Sequence, residues 1–260
     1  MKKNKSIYNL YYEWWKNIDK FIFSLIILLF ITGLFFSLVS TSLLVSDKMD
    51  TNDYAFFFKH LFFVFLGIIV IFVLSSMNEE KLLKISPTIF LLSLVFLFLV
   101  PFIGVEVNSA QRWIDLYFLP RFQPIEPVKP FLIILISLIL SSEKYKNIYF
   151  KYLISFLITL LIGLLLAAQP DIGQTLLVFF SWSVLIFISG INVVFLIISC
   201  ITLFIALYLS INFITKFAYI KNRILSFFNS ETGTHNAQSE KAIDSITSGG
   251  FFGKGIGEGT

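Results

Sequence analysis

The sequence is poor in what redox, metal and hydrolytic chemistry usually draw on. It has one cysteine, Cys200, set in an apolar run, so neither an internal disulfide nor a multi-cysteine metal site can form. Its two histidines, His60 and His235, stand 175 residues apart with no His-Glu-x-x-His pattern, and no Gly-x-Ser-x-Gly elbow occurs. Zinc-hydrolase and serine-hydrolase readings therefore lack support. The glycine-rich end is not a nucleotide loop either, because Ser248 stands where that loop needs glycine and Gly255 where it needs a hydroxyl. Charge is scarce as well: 14% of 260 residues are charged, against roughly a quarter in a soluble domain. A water-soluble globule is excluded. The net charge of +4 does not come from one dense cluster, so no nucleic-acid partner is expected.

What is abundant is apolar surface: 57% of the residues are hydrophobic, 18% are aromatic, and the mean hydropathy is +0.86. Windows of about 20 apolar residues cross a bilayer as helices, and seven are present, at 21–45, 56–76, 85–103, 125–142, 148–168, 172–190 and 191–213. The expected fold class is all-α, a polytopic transmembrane helix bundle. Residues 1–20 read as a basic, aromatic juxtamembrane segment carrying Tyr8, Tyr11, Tyr12, Trp14 and Trp15, 21–214 as the bundle, and 215–260 as an outward loop. The first apolar run is too long for a signal peptide and no small-residue cleavage site follows it, so it should stay as an anchor. Joining 172–213 into one kinked span would give about 60 Å of helix, twice the hydrocarbon thickness. A turn at Gly190-Ile191-Asn192 is expected instead.

Cation placement sets the orientation. Segments 1–20, 77–86 and 141–151 carry 10 cations and 5 acids in 41 residues, whereas 46–59, 104–129, 171 and 215–260 carry 10 cations and 11 acids in 87. The first set is expected in the cytoplasm, with the N-terminus, and residues 215–260 outside.

Ionisable side chains at membrane depth cost roughly 2.5–3.5 kcal/mol each, so those present tend to face a cavity, a partner or a substrate path. Three outward clusters qualify: Asn108-Ser-Ala-Gln-Arg-Trp-Ile114, Gln123-Pro-Ile-Glu-Pro-Val-Lys129 and Gln169-Pro-Asp-Ile-Gly173. Glu126 and Lys129 stand at i and i+3 of a helix start, close enough to pair. Alternatively, Arg112, Arg121 and Lys129, within 18 residues of one another, form a basic site for phosphate or pyrophosphate at the outer surface. Arg112-Trp113 also fits a plain interfacial anchor. Asp171 fits the N-cap of the sixth span, and His60 an interfacial position.

These clusters, with Arg223-Ile224, Gln238 and Gly249-Gly-Phe-Phe-Gly-Lys-Gly-Ile-Gly257, resemble in order and spacing the FtsW/RodA (SEDS) family of bacterial membrane proteins. Gly104-Val-Glu-Val-Asn108 and Gly257-Glu-Gly-Thr260 look closer to its cell-division branch than to its cell-shape branch. The resemblance implies a peptidoglycan glycosyltransferase of the inner membrane at the septum. It would polymerise lipid II, an undecaprenyl-pyrophosphate-linked disaccharide-pentapeptide, beside a class B penicillin-binding transpeptidase and other divisome membrane proteins. By resemblance Arg112 and Lys129 serve the pyrophosphate, Glu126 orients Lys129, and Gln123 and Asp171 shape the cavity. A lipid II carrier and a non-catalytic divisome scaffold are the alternatives. The carrier is disfavoured because spans 85–103, 148–168 and 172–190 offer almost no polar lining. No metal ligands are expected from the motifs, and whether a divalent cation takes part is left open.

Two departures from the family pattern stand out. Ile125 replaces a serine usual in the second cluster. The family also has about ten spans, and its expected catalytic aspartate stands in a His-Thr-Asp-Phe motif after the segment matching Gly257–Thr260. That motif is absent, so the sequence is expected to be a fragment whose catalytic carboxylate lies beyond Thr260.

Overall fold

In the computed structural model, described residues are 7–41, 55–107, 110–115, 121–213, 221, 237–251 and 253. They are mostly helical. The helices are α1 (Ile7–Asn17), α2 (Lys20–Thr41), α3 (Ala55–Ser75), α4 (Glu79–Ile103), α5 (Ile125–Ser141), α6 (Ile148–Ala168), α7 (Ile172–Ile188), α8 (Val193–Phe213) and α9 (Ala237–Gly249), with strands β1 (Val105–Val107) and β2 (Ala110–Trp113) after α4. Among the described residues four helices are long and apolar enough to cross a membrane, namely Lys20–Val39, Phe57–Ser75, Glu79–Ile103 and Ile148–Ala168, and Ile172–Ile188 is a shorter apolar helix. The chain is thus a multi-pass membrane protein. In lipid the backbone must satisfy its own hydrogen bonds, which turns long apolar runs into helices irrespective of local propensity.

Two units make up the chain, Met1–Glu79 with Thr234–Thr260, and Glu80–Gly233. In the first, α1 is held by Trp14, whose indole Nε1–H donates to Ser75 Oγ at 2.7 Å while its ring packs on Phe72 and edge-on to Phe23. The juxtamembrane aromatics thereby form a helix docked on α2 and α3. The His60 ring faces Gly33, where an added Cβ would come into ordinary van der Waals contact with it at 3.6 Å. The expected 215–260 loop contains α9, which the Ser- and Gly-rich composition did not announce. Arg223-Ile224, His235 and Gly257–Thr260 lie outside the described residues.

The second unit holds the functional clusters. Its core runs along α4, α5, α6 and α7 through Leu97, Val128, Leu132, Ile136, Ile162, Val178, Trp182 and Ile186, spaced four residues apart on α5 and α7 as facing stripes require. Gly163 lets α6 and α7 approach closely, since a Cβ there would sit 2.5 Å from the Phe179 ring. The expected turn between α7 and α8 is a Schellman motif: Gly190 has φ 87°, its N–H donates to Phe187 O and the Ile191 N–H to Ile186 O, and Ile186 and Ile191 are both buried.

Three details depart from the sequence reading. The third expected span, α4, starts at Glu79 rather than 85, so the loop expected at 77–86 contracts; Glu79 and Glu80 at its positive end favour helix over loop. The segment after α4 is an antiparallel hairpin, with Glu106 opposite Gln111 and Val107 opposite Ala110, extended by an Ile114–Phe122 bridge. Finally, the interior is less devoid of polar groups than the apolar windows imply: Ser86, Ser93, Ser155, Thr159 and Thr175 are buried. Four of these hydroxyls donate to a carbonyl of their own helix or its cap, which explains their tolerance.

Candidate functional site

Arg112, Gln123, Glu126, Lys129 and Asp171 come together where the hairpin, the start of α5 and the start of α7 meet. The α5 start is irregular because Pro124 precedes Ile125 without a side-chain cap, and Pro127 follows in the first turn, where missing N–H groups cost nothing. Glu126 occupies this first turn, favoured by the helix dipole. One turn on, Lys129 Nζ lies 2.9 Å from Glu126 Oε2, so the local ion pair does form.

The pair has a third member. Lys129 Nζ donates to Gln174 Oε1 at 3.0 Å, and Gln174 Nε2 donates to Glu126 Oε1 at 3.2 Å. Gln174 was not among the residues singled out from sequence. A signal existed, because Asp171-Ile-Gly-Gln174 has the spacing of a capping box, in which the glutamine would bend back to the cap. Its amide instead crosses to α5.

Asp171 is the N-cap of α7, as expected, with Oδ1 accepting from the Gln174 N–H at 3.4 Å. Its other oxygen, Oδ2, accepts from Gln123 Nε2 at 3.3 Å and lies 3.4 Å from Arg112 Nε. Arg112 reaches across from β2, and its Nη2 donates to Pro170 O at 2.7 Å. Its Nε is buried without a hydrogen bond, the aspartate being near enough for Coulomb attraction but poorly aligned. Arg112 keeps 32% of its side-chain surface exposed while Asp171 keeps 9%, so the pair opens outward on the arginine side.

Arg121, the third cation of the expected basic site, is turned to Asp115 at 2.9 Å with both side chains well exposed. Each of the three cations thus has a carboxylate beside it, and the site is a set of paired charges rather than a patch of bare cations. The pairing follows from cost, since a cation left alone near lipid is penalised more than a matched pair. Asn108 lies outside the described residues, and Trp113 is partly exposed on β2. No three His, Cys, Asp or Glu side chains come together as metal ligands among the described residues.

Chemically, two cations flank the amide-rich N-terminus of α7, which is itself an anion-favouring position. An incoming phosphate can share Arg112 with Asp171 and Lys129 with Glu126 through charge-assisted bonds, while Gln123 and Gln174 fix the carboxylates.

Comparison with known proteins finds relatives of the chain as a whole. The family model described as cell cycle protein, covering FtsW, RodA and SpoVE, matches residues 19–260. The probable peptidoglycan glycosyltransferase FtsW of Wigglesworthia glossinidia brevipalpis is 31% identical over 245 residues, 92% of this chain and 62% of the relative. Its namesake in Haemophilus influenzae is 30% identical over 174 residues, 66% of this chain and 44% of that protein. The chain therefore spans less than two thirds of these relatives. Among solved structures, the rod shape determining protein RodA of Thermus thermophilus aligns with a TM-score of 0.52 at 26% identity, over 67% of this chain and 58% of that one. A chain of a peptidoglycan synthase complex that coordinates polymerization and crosslinking shares the fold, with a TM-score of 0.62 at 24% identity over 82% and 64% of the two chains.

Proposed function

The chain belongs to the FtsW/RodA/SpoVE family of cell cycle proteins, and from that premise we propose that it serves as a peptidoglycan glycosyltransferase that polymerises lipid II during septal wall synthesis. The observation that carries the reading is the convergence of Arg112 and Lys129 on the N-terminus of α7. When the acceptor hydroxyl attacks the donor sugar, the bond to pyrophosphate breaks and negative charge builds on the leaving group. Preorganised cations placed there stabilise that charge. Arg112 and Lys129 take this role, Glu126 and Gln174 hold the Lys129 ammonium, and Gln123 and Asp171 set the cavity wall. Proton transfer is assigned to none of these residues.

Seven spans, a cytoplasmic N-terminus and an outward site complete the proposal. Helices occupy all seven apolar windows, including the 17-residue α5 and the 21-residue α8, and the cation bias supplies the orientation. Partners are lipid II, a class B penicillin-binding transpeptidase and other divisome membrane proteins, supported by family membership. The carrier alternative gains nothing from the buried hydroxyls. Those with a bond donate to backbone carbonyls, and the buried charged residue among the described ones, Asp171, sits at a helix end rather than along a path through the bilayer.

Purified native gene product carrying Arg112→Ala or Lys129→Ala, supplied with lipid II, tests the assignment. Glycan strands should fall by at least tenfold in each, given about 1.5–3 kcal/mol for a hydrogen bond to a charged group. Full polymerisation by both variants overturns it.

A further inference from the structure

At the other end of α6 from Asp171, a cavity of about 570 Å³ opens among α6, α7 and α8, lined by Tyr149, Tyr152, Phe156, Phe179, Trp182 and Ile198 among others. Its size is that of a small-molecule pocket. Its chemistry is that of hydrocarbon, because the polar groups in its wall are turned to protein partners. The Trp182 indole donates to Ser155 Oγ, the Tyr152 hydroxyl accepts from Ser189, and the hydroxyls of Ser183, Ser199 and Thr202 donate to carbonyls of their own helices.

The mouth is different. Tyr149 belongs to the first turn of α6, directly after the segment 142–147, which carries exposed Lys144 and Lys146 against one acid, Glu143. Tyr145 packs on Phe150 at 5.4 Å between ring centroids, and Lys144 Nζ lies 5.8 Å from the Tyr145 ring, so the cationic segment is folded onto the start of α6. Lys151 is already committed to Leu140 O at 2.9 Å. An apolar groove whose lining begins at Tyr149, just past a segment with two exposed cations, matches an amphiphile with a hydrocarbon tail and an anionic head.

We propose that this groove binds one acyl chain of an anionic phospholipid whose phosphate headgroup is held by Lys144 and Lys146. In the orientation proposed above the lipid belongs to the cytoplasmic leaflet, on the side opposite the Arg112 site. The binding does not depend on the glycosyltransferase reading. It supplies an anchor for α8 against α6 and α7.

Trp182 reports on the groove directly. The native gene product is reconstituted in phosphatidylcholine vesicles containing increasing fractions of either phosphatidylglycerol or phosphatidylcholine brominated on its acyl chains. Trp182 emission is taken as the difference between the parent and Trp182→Phe. Half-maximal quenching should require several-fold less brominated phosphatidylglycerol than brominated phosphatidylcholine, and K144E/K146E should abolish that preference. Ser199→Phe, which fills the groove, should weaken quenching by both lipids and reduce the phosphatidylglycerol that copurifies in detergent. Equal quenching by the two headgroups overturns the proposal, since it describes unselective boundary lipid. Absence of quenching by either overturns it too, because a polypeptide then closes the groove. If Trp182→Phe fails to fold, the parent and K144E/K146E still read the headgroup preference.

Discussion

Lys129 and Gln174 are 45 residues apart in the chain, yet the lysine ammonium donates to the glutamine amide oxygen at 3.0 Å. This contact ties the first turns of α5 and α7 together and fixes the rotamer of a cation that the local Glu126 pair alone, with its half-exposed carboxylate, leaves loose. A glutamine suits the position because its amide accepts from Lys129 and donates to Glu126 at once.

Gln174→Leu should therefore lower thermal stability in detergent by about 1 kcal/mol, a net hydrogen-bond contribution discounted for exposure. In a lipid II assay it should lower kcat more than it raises KM. Gln174→Glu keeps the acceptor but places a carboxylate beside Glu126, and should be worse than Gln174→Asn. Equal activity in all three variants would show that Lys129 needs no second support.

Arg112 and Asp171 separate the cost of structure from that of chemistry. Arg112→Ala strands a mostly buried carboxylate, and a stability loss of about 1–3 kcal/mol is expected, below the range for fully buried pairs because the arginine is one-third exposed. Adding Asp171→Asn removes the stranded charge and should recover most of that stability. Polymerisation should stay low in the double variant, as the pyrophosphate contact is still missing. Recovery of both together would mean that Arg112 serves only to neutralise Asp171.

Gly163→Val tests the close approach of α6 and α7. The added methyls meet the buried Phe179 ring, and overpacking of this kind costs typically 1–3 kcal/mol. Phe179→Leu in the same chain should relieve part of it, measured as the thermal unfolding midpoint of single and double variants.

Topology is checked with Cys200 replaced and cysteines introduced at Ser142 and Ser239. In intact spheroplasts an impermeant thiol reagent should label Ser239→Cys and spare Ser142→Cys. The reverse pattern would invert the proposed orientation and move the Arg112 site to the cytoplasm.

Sequence alone determined what depends on solvent and on near neighbours. Long apolar runs had to become helices because lipid offers the backbone no other hydrogen-bond partner. The Glu126–Lys129 pair, the Asp171 cap and the Gly190 turn were legible because each spans one helical turn or less, where geometry is fixed by 3.6 residues per turn. Tertiary structure decided the rest. Whether Arg112 faces Asp171, Gln174 turns outward to Lys129 rather than back to its own cap, or Trp14 finds Ser75 depends on how helices rotate and pack, set by stripes such as Val128-Leu132-Ile136 and by the close contact at Gly163. Residues distant in sequence share no fixed geometry until that packing brings them together, as Arg112 and Asp171 show, whereas the Glu126–Lys129 partner was already within one turn.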